Sequence, residues 1–322
     1  RVLQLLTVGK TNNATMKASG GGILSISGIA VTQAALAELL ADGGEVNCSG
    51  ATINGGLVRA VNGGQTVVSG TSRFNGVTTS GPTVINTGTS LQIADGLANN
   101  GTCTINTTGG GSGTHIQALN SQILSGSGHV VLNATISNLD TAQVTYNGGS
   151  EVLTQTATHT IRGTGNIHVN LVNNGLIHAD RDGRILQLVA QPKTNNATMK
   201  ASGGGILAIT NCSMSQPHAG QILADGGDVR LSGAGVTGGQ INAINGGLAT
   251  VTGNSTISGV TTSGTVTVSN GVNLSFTGGL TNNGVITVNT TAGGSGTLMQ
   301  CLSSQTLSGT GTVVLNASTN LD

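Results

Sequence analysis

His178, Asp180 and Asp182 are the residues of this chain best spaced for chemistry. Side chains alternate along an extended strand, so all three fall on one face. An imidazole and two carboxylates on one face could ligate a divalent metal. The competing assignment is a solvated face running into a turn at Arg181-Asp-Gly183, and it is the one adopted here. No metal or cofactor is assigned.

Paired carboxylates come next. Asp42 and Glu45 flank Gly43-Gly44, and Asp225 and Asp228 flank Gly226-Gly227. Such pairs could act as acid and base in glycoside hydrolysis. No Tyr or Trp stands nearby to stack on a sugar. Lys10 and Lys17 recur as Lys193 and Lys200, so the acids read as surface charges that pair with lysines on neighbouring segments. No catalytic residue is assigned, and the chain is expected not to be an enzyme.

The chain supplies its own comparison. Lys10 to Leu24 returns unchanged as Lys193 to Leu207, 183 residues later. The same offset aligns Ala41-Asp-Gly-Gly44 with Ala224 to Gly227, and Val130 to Ala134 with Val313 to Ala317. In that frame Cys48 faces Leu231, Cys103 faces Ile286, Cys212 faces Ile29 and Cys301 faces Ala118. Thiols exchanged for apolar residues read as small buried hydrophobes rather than disulfides or zinc ligands. His115, His129 and His218 pair with Leu298, Thr312 and Ala35, which are no ligands. Phe74 and Phe276 pair with Ile257 and Ile93 and read as core.

Other motifs fail on their own terms. Gly110-Gly-Ser-Gly-Thr114 lacks the Asp of a calcium-binding nonapeptide. No helix follows a glycine cluster, as dinucleotide binding requires. Sequons at Asn13, Asn106, Asn133, Asn196 and Asn289 arise at chance frequency in a chain so rich in Asn, Ser and Thr.

Composition limits the partners. Eleven basic residues balance 11 acidic ones, with no cationic run, so nucleic-acid binding is not expected. No apolar run is long enough for a membrane-spanning helix. Glycine contributes 54 of 322 residues, yet Val, Ile and Leu are abundant, which argues for folded strands rather than disorder.

Those strands must be short. Gly22 to Ile26, Gly44 to Cys48, Gly64 to Val68, Gly128 to Leu132, Gly165 to Val169 and Thr265 to Val268 each alternate aliphatic and polar residues. Asn-Asn phrases recur at Asn12, Asn99, Asn173, Asn195 and Asn282. Glycine and Asn supply left-handed corners. Spacing near 20 residues predicts an all-β, right-handed parallel β-helix, a β-solenoid with about 20 residues per coil. The stretch Thr32 to Leu40 has helical propensity, but its counterpart carries Pro217 and Gly220, so a loop or single turn is expected. The domains are read as 1–183, one repeat unit, and 184–322, a second incomplete unit, forming one continuous rod. The frame opens at Arg1, aligned with Arg184, so a piece of a longer array is expected.

Asn173-Asn-Gly-Leu-Ile-His-Ala-Asp180 and Asn282-Asn-Gly-Val-Ile-Thr-Val-Asn289 resemble coils of bacterial secreted β-helix proteins, of the filamentous-haemagglutinin and autotransporter-passenger type. The resemblance implies an elongated, adhesive or matrix-forming protein, extracellular or at the cell surface. The expected role is a structural solenoid segment of a filament, sheath or giant surface protein. Its partners would be copies of itself or adjacent repeats, head to tail. An adhesin stalk for glycans or cell surfaces is the alternative. A tailspike-like enzyme acting on polysaccharide and an ice-binding protein with Thr arrays rank lower.

Overall fold

The structure is a computed structural model that describes every residue except 109, 112, 218, 291–295 and 317–322. His218 therefore lies outside the described residues. The described chain is all-β, a parallel β-solenoid of about 14 turns whose coils lie about 21 residues apart. The sequence period and fold class are thus those expected. Every strand-to-strand pairing described is parallel, as in Ile23–Ser27 with Glu45–Ser49. Among the described residues the only helical piece is a 3₁₀ turn at Leu139–Thr141. No helix there is long and apolar enough to cross a membrane. The chain divides into two compact units, Arg1–Asn170 and Leu171–Asp322.

Each unit is held by aliphatic ladders. In unit 1, Ile26, Cys48, Val68, Ile85, Ile105 and Leu132 stack through successive register partners, and none is exposed. Each is one inward position of a short strand, and coils about 4.8 Å apart bring identical positions into contact. Burying one such side chain stabilises by roughly 1.5–3 kcal/mol. The narrow interior explains why aromatics are nearly absent. Phe74 and Phe276 are both buried, as expected. Unit 2 repeats the ladder as Ile209, Leu231, Val251, Val268, Val288 and Leu315.

The segment with helical propensity becomes strand, turn, strand. Ala30–Gln33 and Glu38–Asp42 flank a turn at 34–37. Ladder pairing of both ends to neighbouring coils outweighs a weak local propensity. One strand boundary differs from expectation. Residues Gly165 to Val169 do not open a strand; a longer one, Thr160–Ile167, passes through Gly163 and Gly165. Both glycines have left-handed φ, 104° and 148°. A Cβ at Gly163 would run into the carbonyl of Leu132, and one at Gly165 into that of Ala142. The glycines therefore permit close backbone approach inside the strand rather than marking its start.

Candidate functional site

The residues held constant between copies build the same surface device twice. Lys17 Nζ lies 2.5 Å from Asp42 Oδ2, and Asn62 Nδ2 donates to Asp42 Oδ1 at 2.6 Å. In unit 2 Lys200 reaches Asp225 at 2.6 Å, and Asn245 donates to the same carboxylate at 2.6 Å. Strands Thr15–Ser19 and Glu38–Asp42 pair in register, which sets the lysine two residues before the position opposite Asp42. The hydrogen bond from the lysine, then that from the asparagine, holds each carboxyl below the usual aspartate range. Arg59 adds a two-pronged contact to Glu38 in unit 1, at 2.9 and 3.3 Å. Arg59 chiefly holds that carboxyl below its usual range.

The other members of the carboxylate pairs turn elsewhere. Glu45 accepts from Asn47 and Gln65, at 3.0 and 3.3 Å. Asp228 takes Arg230 at 2.6 Å and the Thr250 hydroxyl at 3.2 Å. Every oxygen-bearing partner in these contacts is a neighbour on the same or the next coil. His178 Nε2 lies 2.7 Å from Ser202 Oγ, so its outward ring is joined to the following coil. Among the described residues no group of three His, Cys, Asp or Glu side chains is brought together as a metal would need.

Inside each unit runs a polar column that sequence periodicity only partly foreshadowed. In unit 2 Asn173 Nδ2 donates to Asn195 Oδ1 at 2.8 Å, and Asn195 Nδ2 donates to Gln216 Oε1 at 2.9 Å. Gln216 continues to the carbonyls of Gly238 and Gln240, both at 3.4 Å. One coil further the column resumes with Thr262 donating to Asn282 at 3.1 Å. Unit 1 repeats it as Asn12 to Gln33 at 3.1 Å and Thr79 to Asn99 at 3.1 Å. Each amide satisfies buried backbone at a corner, where an apolar residue would leave polar groups unpaired. The glutamine explains a glycine pair. A Cβ on Gly56 would stand 2.5 Å from the Gln33 Cβ, and Gly239 meets Gln216 at the same distance.

His159 occupies this column and escaped the comparison between copies, because it lies in the single-copy stretch. Its signal was register: two residues before inward Ile161, it faces inward too. The ring is fully buried. Asn99 Oδ1 is already taken by Thr79 Oγ1 and Gly101 N, so Asn99 Nδ2 is the donor to His159 Nε2 at 3.2 Å. The ring proton therefore sits on Nδ1, which has no partner among the described residues. Burial, aided by nearby His129, pushes the pKa down to about 4.

Lys193 is a second surprise. It heads the repeated phrase, yet it is 2% exposed and donates to the carbonyls of Val189 and Gln191. Desolvation lowers its pKa to about 8. Cys48, Cys103 and Cys212 are buried and apolar in role, as expected. Burial pushes the Cys48 and Cys103 thiols up to about 12. Cys301 departs from that expectation and is exposed. Its strand, Leu298–Cys301, pairs with Asn273–Asn282 on one side only among the described residues.

The comparisons with known proteins concern the fold. No family model and no curated protein matches this chain. Among solved structures it is similar to the crystal structure of the TibC-catalyzed hyper-glycosylated TibA55-350 fragment. Identity is 17%, the TM-score is 0.51, and the match covers 92% of this chain and 100% of that one. At that identity the likeness is one of backbone architecture.

Proposed function

We propose that this chain is a structural stretch of β-solenoid from an extracellular bacterial filament, sheath or giant surface protein, and that its coil edges stack end to end. One observation carries the reading. The same inward ladder is built twice, as Ile26, Cys48, Val68, Ile85, Ile105 and Leu132 and again as Ile209, Leu231, Val251, Val268, Val288 and Leu315, each strand pairing in parallel with the next coil. Coils that pair this way on both faces are units to which further coils of the same kind can be added. The reading contains no catalytic step; Asp42 and Asp225 are each bonded to a lysine and an asparagine.

The test is association in solution. The 1–322 polypeptide is expected to self-associate as its concentration rises, in sedimentation velocity. Leu307→Lys with Leu315→Lys is expected to suppress this without changing the far-ultraviolet circular dichroism. A wild-type chain that stays monomeric at its highest soluble concentration contradicts the stacking. A second reading, an adhesive surface for glycans, is favoured by an open groove on unit 1, whose chemistry is not repeated in unit 2.

A further inference from the structure

The groove begins with a bulge. Strands Ser72–Ser80 and Ser90–Asn99 shift register between Asn75 and Val77, where Gly76 turns left-handed. Opposite it stand Asp95 and Gly96, at φ 56° and 86°. The spare N–H of Gly96 donates to the buried Gln122 at 2.7 Å. Unit 2 builds the same thing. Its strand Ser255–Ser263 shifts at Gly259, opposite Gly278 and Gly279 at φ 61° and 85°. Gly279 donates to Gln305 at 2.9 Å.

The architecture is common to both units; the chemistry is not. Asp95 stands where unit 2 has Gly278, and Ile123 where it has Thr306. A left-handed residue is normally glycine, and Asp is tolerated at a cost. Unit 2 shows that the bulge forms without a carboxylate, so the fold does not require Asp95. Ile123 is 54% exposed in the same groove. The space measures about 450 Å³ and is also lined by Thr78, Asn120 and Ser121. That is the size of a small-molecule site, about 300–1,000 Å³.

We infer that this groove is a saccharide-binding site, in which the Asp95 carboxylate accepts hydrogen bonds from adjacent sugar hydroxyls and Ile123 lies against the sugar's C–H face. The Thr78 and Ser121 hydroxyls and the Asn120 amide complete a rim of donors and acceptors suited to an uncharged sugar. The inference rests on the adhesive reading and gives it a location.

The experiment measures binding of immobilised neutral hexoses, 6-deoxyhexoses and N-acetylhexosamines to the full 1–322 chain. Saturable binding to at least one sugar is expected. Asp95→Gly installs the residue found in unit 2, so it keeps the fold, with an unchanged or raised melting temperature. It is expected to weaken binding by about tenfold or more, the loss of hydrogen bonds to a charged acceptor. Ile123→Thr is expected to weaken it several-fold. Binding that survives Asp95→Gly within twofold overturns the groove as the site and leaves the adhesive reading standing. A wild-type chain that binds no member of the panel overturns both.

Discussion

Replacing Asn195 by leucine is expected to destabilise unit 2 by about 3–5 kcal/mol, a large loss for one buried side chain. Asn195 is fully buried and makes four contacts of hydrogen-bond type. Its Oδ1 accepts from Asn173 at 2.8 Å and from the Ala197 N–H at 3.4 Å. Its Nδ2 donates to Gln216 Oε1 at 2.9 Å and to the Gln221 carbonyl at 3.0 Å. Leucine removes all four and leaves the partners buried, each unsatisfied group costing about 1–3 kcal/mol before relaxation. Asn12 is the built-in control, since it heads the same phrase in the first copy. Among the described residues it makes three such contacts, with Gln33, Glu38 and Ala14. Asn12→Leu is therefore expected to cost less. Amide hydrogen exchange reads both, and equal losses would contradict the column as a chain of coupled bonds. With no Trp in the chain, exchange is a better probe than intrinsic fluorescence.

The second large effect is acid lability in unit 1. His159 has a folded-state pKa of about 4, below the ordinary imidazole value of 6.5. The unfolded chain therefore takes up the proton first. The stability associated with neutral His159 is fully present above pH 6.5 and is lost as pH falls from 6.5 through 4. A shift of this size corresponds to about 3 kcal/mol. Repulsion from the nearby His129 adds to the shift that burial causes. The aspartates held by Lys17 and Lys200 lose their stabilisation at lower pH, below the ordinary carboxylate range, so the two windows separate. His159→Gln keeps an amide at a column position without an ionisable ring. It is expected to flatten the stability profile between pH 6.5 and 4. A profile with the same slope in His159→Gln would assign the lability elsewhere.

Much of this fold was legible because a solenoid writes its period into the chain. Short alternating strands, glycine corners and Asn-Asn phrases each repeat a local rule, and the register pairs of Ile26 through Leu132 follow directly. The interior asparagines were legible as recurring residues, but not the glutamines Gln33 and Gln216 that extend the column. Their role depends on a glycine pair one coil away. Lys193 shows a deeper limit. Fifteen identical residues place Lys10 in a half-exposed position and Lys193 in a buried one. Leu171, on the preceding strand Asn170–Asn173, pairs with Lys193. Burial there is a property of the neighbouring coil, which local sequence does not carry. The groove was hidden for a similar reason. Nothing in the sequence around Gly76 marks a bulge, and the register shift there opens a space beside Asp95. Of the repeated carboxylates, which read as surface charges, Asp42 and Asp225 pair with lysines on the neighbouring strand, whereas Glu45 and Asp228 take other partners.

The central proposal is that this solenoid is a structural segment whose coils stack with further coils of the same kind. Electron microscopy of the native material tests it most directly. The account predicts filaments or sheaths built of parallel strands about 4.8 Å apart. Isolated globular particles with no filament or sheath would contradict it.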